Sequence, residues 1–256
     1  MSEQTDQLVE LANRISRSTI AAVDAVTQRG GFKGEELSTI GQLRDQCIQQ
    51  YHLLNHFSKK MQLTLKTTSN SGGFGPQTHS LGDLIKIWDD VLDPETCRNI
   101  IQMFESSKPF YEHHDTNSYK FTQLNLNNSP DAPLAAILVQ SLIPYYEQYF
   151  EETGYKQYVN ISDHEEVRIK KYRKGTDDQF KTHVDVTNAA NAKRFLVSIL
   201  YLNDNDGCTT FPTFNKVVEP KAGRLLVFPP LWMFPHNGMP PTNNDKYIMM
   251  SCLHYS

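Results

Sequence analysis

The sequence predicts an α+β domain that is mainly β, in which a sandwich or barrel of strands is braced by helices. Seven short stretches rich in β-branched and aromatic residues follow residue 157. Turn signals separate them, most clearly at 204–207 and 220–223. Two helical stretches precede these strands, and many short strands after a helical run are typical of a sandwich or barrel with supporting helices.

An N-terminal helical hairpin is predicted to precede this domain. Apolar residues recur at helical spacing over residues 5–28 and again over 35–62, with glycines between them. The two helices would fold on each other or on the main domain, and a short coiled coil that forms a homo-oligomer is the alternative. We therefore predict a helical segment at 1–62, a Ser/Gly-rich linker at 63–80 and the main domain at 81–256.

Within the main domain, LIKIWDDVL predicts a first strand that enters a turn. Asp93 then caps a helix whose first residue is Pro94. A second helix is predicted over 132–152, and Pro144 predicts a kink or break inside it. The seven predicted strands that follow are YVNIS, VRIKKYR, QFKTHVDV, RFLVSILYLN, NKVVEP, GRLLVFPP and YIMMSCLHYS.

Composition and charge argue against several classes of protein. The net charge of -4 offers no general attraction to nucleic acid or to anionic membranes. The sequence contains no run of eighteen apolar residues, which a membrane span would need. The N-terminus lacks the pattern of a secretory signal. The scattered cysteines are expected to be reduced thiols of a cytoplasmic protein, and they are Cys47, Cys97, Cys208 and Cys252.

His183 and Asp185 are candidate metal ligands. They lie two residues apart in strand-like text, so an imidazole and a carboxylate would point to the same face. His236 from a distant strand would complete the set. Two histidines and one carboxylate with open positions are the ligands of non-haem Fe(II) oxygenases, and Zn(II) is the alternative metal.

Lys246 lies ten positions after His236 in another predicted strand. An oxoacid such as 2-oxoglutarate would chelate the metal at one end, and its far carboxylate would need a buried cation. The compact ammonium of a lysine can pair with that carboxylate.

The stretch from Val167 to Tyr255 resembles the 2-oxoglutarate and Fe(II)-dependent dioxygenase superfamily, in particular its prolyl-4-hydroxylase-like branch. Four blocks occur in the order of that family. They are EVRIKKYRKGTDDQFKTHVD, RFLVSILYLNDNDGCTTFP, VEPKAGRLLVFPP and PHNGMPPTNNDKYIMMSCLHY.

This resemblance implies a double-stranded β-helix, or jelly roll, that uses Fe(II), 2-oxoglutarate and dioxygen, with ascorbate as reductant. The implied reaction hydroxylates an unactivated C–H bond, most often of a peptidyl proline, and releases succinate and CO2. The implied partner is therefore a protein or peptide. The implied site residues are His183, Asp185 and His236 for iron and catalysis; Lys246, Tyr172, Tyr201 and Thr209 for the co-substrate; and Arg194 for the substrate.

Two other functions stay open at this point. The jelly roll could be a non-catalytic binding module in a larger assembly, or the substrate could be a nucleobase, as in other members of the superfamily. The absence of a basic stripe opposes the nucleobase. Residues 28–46 also resemble segments of tailed-bacteriophage proteins, which would place the chain in a phage-infected host.

Two short segments depart from simple expectation. The family usually has Gly-Gly-Glu-Thr where this chain has Asp206-Gly207-Cys208-Thr209. The segment 112–115, with the sequence EHHD, resembles a metal site, but adjacent residues of an extended segment point to opposite faces. We expect it to be a loop that lines the substrate entrance.

Overall fold

The computed structural model describes residues 80–156, 159 and 161–255, together with residues 20, 21, 23, 24 and 26. The chain divides into two units, Met1–Gly73 and Phe74–Ser256, and the second contains all the elements described below. Residues 20, 21, 23, 24 and 26 are helical, and the rest of the predicted helical hairpin, its coiled-coil alternative and the body of the predicted linker lie outside the described residues.

The second unit is mainly β, as the sequence predicts, with one curled antiparallel sheet and two α-helices. Its strand order is β1-β10-β7-β12-β5-β3-β6-β11-β8-β9, while β2 pairs with β3 and β4 pairs with β12. The strands are β1 (Lys86–Trp88), β2 (Tyr111–Asp115), β3 (Tyr119–Asn125), β4 (Ile161–His164), β5 (Arg168–Tyr172), β6 (Gln179–His183), β7 (Arg194–Tyr201), β8 (Thr209–Phe211), β9 (Lys216–Val218), β10 (Leu225–Phe228), β11 (His236–Gly238) and β12 (Lys246–Tyr255).

The two helices are α1 (Pro94–Ser106) and α2 (Ala132–Thr153). The Asp93 carboxylate caps α1 as predicted, because it accepts hydrogen bonds from the second and third backbone amides of the helix. The helix α2 continues through Pro144, so the prediction that it breaks at this residue is wrong. Buried side chains on both sides of Pro144 pack against the rest of the domain and stabilise the helix despite the lost hydrogen bond.

The sequence misses the hairpin of β2 and β3, which lies between the two helices. Segment 112–115 is therefore part of a strand and not the expected loop. His113 and His114 do face opposite sides: His113 is hydrogen-bonded to the hydroxyl of Thr122, whereas His114 packs against the ring of Phe121. The short strand β8 is also missed, and β11 is not among the seven predicted strands, although His236 was expected to lie on a strand.

The hydrophobic core lies against the middle strands of the sheet and supports the cavity described below. Chain segments far apart in sequence contribute to it. Its fully buried members include Val197, Tyr201, Phe211, Leu226, Phe228, Phe234 and Cys252. The thiols of Cys208 and Cys252 are free, as predicted, and Cys47 lies outside the described residues. No helix in the described part of the chain is long and apolar enough to cross a membrane.

Gly223 fixes the turn that leads into β10. Its backbone has a φ of +79°, and a Cβ at this position would lie 2.0 Å from the carbonyl oxygen of Leu92. Its amide donates a hydrogen bond to the backbone carbonyl of Tyr201, and its carbonyl accepts one from the backbone amide of Val91. Only glycine fits here, because any side chain would both strain the backbone and push the neighbouring segment away.

We expect Gly223→Ala to lower the free energy of unfolding by roughly 2–4 kcal/mol, since backbone strain and a steric clash add together. The matched control is Gly154→Ala. Gly154 also has a positive φ, of +73°, but a Cβ there would meet nothing within 4 Å. The control should lose only about 1 kcal/mol. Denaturant unfolding measures both, and equal losses would contradict this account.

Candidate metal centre and co-substrate cavity

The pairing of β6 with β11 brings the two candidate histidine ligands together. His183 and His236 lie opposite each other in the ladder, and their ring centroids are 4.3 Å apart. The strand β6 ends at His183, so Asp185 lies just beyond it and not within it as expected. The amide of Asp185 donates to the carbonyl of Pro230 at 3.1 Å. This hydrogen bond fixes the backbone of Asp185, which has no partner in the sheet ladder.

The three side chains offer ligand atoms within 4.8 Å of one another. Nε2 of His236 lies 3.5 Å from Oδ2 of Asp185, and Nε2 of His183 lies 3.8 Å from Oδ1. The Nδ1 atoms face the backbone carbonyls of Phe234 and Lys181, at 3.1 and 2.8 Å. A carbonyl can only accept, so each Nδ1 donates, and each Nε2 is left with a lone pair for a metal.

The charge state of this cluster fits a metal dication. Oδ2 of Asp185 is buried and has no hydrogen-bond partner, which is costly in a folded protein. Burial, and then the proximity of His236, lowers the pKa of His183 to about 4, so its imidazole is neutral and can act as a ligand. A cation between the three atoms would satisfy the orphaned oxygen. The set of two imidazoles and one carboxylate fits Fe(II).

A cavity extends from the candidate metal centre to Lys246. Seven of the eight residues predicted from the sequence line it, which leaves out only Arg194. The remaining lining residues are Lys170, Phe180, Ile199, Gly238, Ile248 and Met250. Polar groups are therefore concentrated at a few points of a largely apolar wall, which is typical of a small-molecule site.

The ammonium of Lys246 is buried at the far end of this cavity. It donates to the carbonyl oxygens of Gly207 and Met239, at 2.9 and 3.0 Å, and lies 4.5 Å from the ring centroid of Tyr172. Burial lowers the pKa of Lys246 to about 8. An ammonium has three donors. Two are used in these contacts, and a carboxylate that enters the cavity would take the third.

Three hydroxyl groups line the wall between the two ends. Tyr172 lies opposite Lys246 in the ladder of β5 and β12, and Tyr201 donates to Oγ1 of Thr209 at 2.7 Å. Burial raises the pKa of both tyrosines, so their hydroxyls stay protonated. The hydroxyl hydrogen of Thr209 remains for a ligand, because its oxygen already accepts from Tyr201.

Arg194 lies behind the metal centre and does not line the cavity. Its Nη1 donates to the backbone carbonyl of Asp185 at 2.9 Å. Its Nε and Nη2 both donate to Oε1 of Glu165, at 3.1 and 2.7 Å. The guanidinium therefore holds the backbone of a candidate ligand in position.

The turn at 206–209 keeps the contact that Lys246 needs, although it departs from the family pattern. Asp206 accepts hydrogen bonds from the amides of Thr242 and Asn243 and from the Thr242 hydroxyl, which pins the turn to the segment before β12. A Cβ at Gly207 would lie 2.8 Å from the carbonyl oxygen of Met239. Glycine is therefore retained where the backbone approaches the ammonium.

Comparison with known proteins agrees with this geometry. Residues 167–254, which contain all three candidate ligands and Lys246, match the family described as the 2OG-Fe(II) oxygenase superfamily. The chain therefore carries a 2OG-Fe(II) oxygenase domain over residues 167–254. It is therefore an enzyme, a 2-oxoglutarate-dependent dioxygenase, and the family implies Fe(II), 2-oxoglutarate and dioxygen, with ascorbate typical of its prolyl hydroxylases.

One curated relative of this oxygenase is a candidate prolyl 4-hydroxylase of Acanthamoeba polyphaga mimivirus. It is 26% identical over 182 residues, which cover 63% of this chain and 70% of the relative.

Three solved structures share the fold of this oxygenase. The viral collagen prolyl hydroxylase of Paramecium bursaria Chlorella virus-1, in complex with 2-oxoglutarate, has a TM-score of 0.52 at 18% identity and covers 68% of this chain and 98% of its own. A Pseudomonas putida prolyl-4-hydroxylase has a TM-score of 0.52 at 15% identity, with 68% and 93% covered. A Trichoplax adhaerens prolyl hydroxylase, bound to a peptide of hypoxia inducible factor, has a TM-score of 0.55 at 13% identity, with 80% and 93% covered.

Sequence reasoning missed one charged residue of the cavity, Lys170. It is buried and shares a face of β5 with Tyr172, two residues further on. The spacing of these two residues could have identified it, because a strand that turns Tyr172 inward also turns Lys170 inward.

We expect His183→Ala to weaken Mn(II) binding by more than about 100-fold, since even the outer partners of metal ligands are worth roughly 10- to 100-fold. Mn(II) replaces Fe(II) here as a redox-stable probe, and electron paramagnetic resonance measures the free ion. The control is His113→Ala, which removes an exposed imidazole outside the cavity. If both variants bind Mn(II) as the unmodified protein does, His183 is not a ligand.

Proposed function

We propose that this chain hydroxylates a peptidyl proline in a reaction that consumes 2-oxoglutarate and dioxygen and releases succinate and CO2. The observation that carries the proposal is a His/Asp/His cluster and a buried ammonium at the two ends of one cavity. The proline acceptor is supported by the relatives, which are prolyl hydroxylases, one of them bound to a peptide. The curled sheet then corresponds to the double-stranded β-helix of these enzymes.

The proposed iron ligands are Nε2 of His183, Nε2 of His236 and the carboxylate of Asp185. Bound Fe(II), together with 2-oxoglutarate and dioxygen, supplies the oxidation that places one oxygen atom in a C–H bond and the other in succinate. The residues around the ligands keep them in place. The carbonyls of Lys181 and Phe234 orient the two rings, and Arg194 holds the backbone of Asp185. For Arg194 we therefore propose a positioning role instead of the substrate contact expected from the sequence.

Lys246 is the proposed anchor for the far carboxylate of 2-oxoglutarate. Its third donor remains for a carboxylate in the cavity, and such a ligand would also contact the hydroxyls of Tyr172 and Thr209. Tyr201 orients the Thr209 hydroxyl by donating to it. The apolar side chains of Ile199 and Ile248 line the same wall and exclude water from the reacting atoms.

We also propose a reducing, cytoplasmic setting. Free thiols at Cys208 and Cys252 and the need to keep iron in the ferrous state support it. The viral origin of a curated relative is compatible with expression in an infected host.

The reaction can be tested with Fe(II), ascorbate, 2-oxoglutarate and a library of proline-containing peptides or a host lysate. We expect mass spectrometry to find one added oxygen on proline, with one succinate formed for each oxygen. The His183→Ala, Asp185→Ala double variant is the control and should give neither product. Oxygen on nucleobases instead of proline, or no product from a protein that binds both Mn(II) and 2-oxoglutarate, would contradict the proposed substrate.

Replacing Lys246 should separate the co-substrate from the metal. We expect Lys246→Met to weaken 2-oxoglutarate binding to the Mn(II)-loaded protein by about 10- to 150-fold, the usual worth of a hydrogen bond to a charged group. Mn(II) binding should change little, because Lys246 lies at the other end of the cavity. Calorimetry measures both constants. The exposed Lys174→Met is the control, and equal 2-oxoglutarate affinities in all three proteins would exclude Lys246 as the anchor.

A further inference from the structure

The cavity contains a second buried lysine to which no role has been assigned. Lys170 is 6% exposed and lies on the cavity face of β5, opposite Ile248 of β12 and Gln123 of β3. Lys246 lies opposite Tyr172 on the same ladder. Lys170 is therefore displaced along the strands by one side-chain repeat from the proposed co-substrate anchor, which is about 6.8 Å.

Lys170 lies toward the metal end of the cavity. Its Nζ lies 5.7 Å from the ring centroid of Phe180, and that ring stacks on the imidazole of His183 at 3.5 Å. Burial lowers the pKa of Lys170 to about 8, and the attraction of Asp185 opposes this lowering. The ammonium is thus close enough to the candidate ligands to interact with their charge.

The partners of Lys170 are weak ones for a buried charge. Its Nζ donates to the thioether sulfur of Met250 at 3.4 Å and lies 4.5 Å from the ring centroid of Phe121. Within the described part of the chain it forms no ion pair. A buried ammonium is costly without an anionic partner, and a thioether and an aromatic face offset only part of that cost.

The neighbouring residue shows the contrast. Lys171 points to the opposite face of the sheet and forms ion pairs with Glu105 at 2.7 Å and with Asp245 at 3.1 Å. The fold thus supplies two carboxylates to a half-buried lysine outside the cavity. It supplies none to the more deeply buried lysine inside, so an anion that enters the cavity would be the first carboxylate partner of Lys170.

A bound metal dication would make this imbalance larger. The negative charge of Asp185 now attracts the ammonium. With a dication at the candidate ligands, that attraction is cancelled and a like charge is added nearby. A further anion beside Lys170 would then restore the balance.

We propose that Lys170 binds a second carboxylate in this cavity, next to the metal centre and distinct from the carboxylate held by Lys246. Two sources can supply it: the metal-proximal carboxylate of 2-oxoglutarate, or a carboxylate carried by the substrate close to the carbon that is hydroxylated. In the second case the enzyme selects acidic substrates. This inference rests on the proposed function, because it assumes that both ligands enter this cavity.

The test uses the Mn(II)-loaded full chain and three variants: Lys170→Met, Lys170→Arg and the control Lys174→Met. The first arm measures the dissociation constant of 2-oxoglutarate by calorimetry. The second arm saturates the protein with 2-oxoglutarate and titrates two pairs of probes that differ in one carboxylate. The pairs are L-proline with L-prolinamide, and acetyl-Glu-Pro-amide with acetyl-Gln-Pro-amide.

If 2-oxoglutarate supplies the carboxylate that binds Lys170, we expect Lys170→Met to weaken 2-oxoglutarate binding by at least about tenfold. If the substrate supplies this carboxylate, we expect the unmodified protein to bind the carboxylate-bearing probe of a pair at least about tenfold more tightly than the other probe. Lys170→Met should then abolish this preference. Lys170→Arg should keep most of either effect, since it keeps the charge. Ligand-free Lys170→Met should also unfold at a higher temperature than the unmodified protein, because an unpaired buried charge has been removed.

The inference is overturned if Lys170→Met matches the Lys174→Met control in both arms. This failure can be told apart from failure of the proposed function by including Lys246→Met. If the unmodified protein binds 2-oxoglutarate and Lys246→Met does not, the proposed function stands and only the role of Lys170 falls. If the unmodified protein does not bind 2-oxoglutarate, both fall.

Discussion

The buried carboxylate of Asp185 is the constraint on which the site depends. Its backbone is held on both sides, by the carbonyl of Pro230 and by the guanidinium of Arg194, while one side-chain oxygen has no hydrogen-bond partner. The fold thus fixes the position of this group without satisfying its charge. The ladder of β6 and β11 presents two imidazole nitrogens to the same point. Together these contacts form a preorganised site that a dication completes.

The same principle applies to the two buried lysines of the cavity. Lys246 is buried among carbonyl oxygens and an aromatic ring, and Lys170 is buried among a thioether and two rings. Buried charges without counter-charges lower the stability of a folded protein. The pattern is expected where stability is given up for binding, because the ligands that the site receives bring the missing charges.

The sequence identified which residues the fold brings together in the candidate site more closely than it identified the architecture around them. The spacing of His183 and Asp185, the distant His236 and the later Lys246 were all readable, because metal and carboxylate binding require particular side chains. The β2–β3 hairpin was not, since Tyr119–Asn125 mixes polar and aromatic residues, and its pairing with β5 and β6 depends on distant contacts. The position of Arg194 behind the candidate metal centre could not be predicted from the sequence either. Its hydrogen-bond partners, Glu165 and the carbonyl of Asp185, come close to it only in the folded chain.

The central claim is that one cavity holds a metal at His183, Asp185 and His236 and a 2-oxoglutarate carboxylate at Lys246. A crystal structure of the protein grown without oxygen, with Mn(II) and 2-oxoglutarate, tests it most directly. The account predicts anomalous density for Mn(II) bonded to both Nε2 atoms and to the carboxylate, and 2-oxoglutarate that extends from the metal to Nζ of Lys246. Metal bound elsewhere, or a co-substrate whose far carboxylate does not contact Lys246, would contradict it.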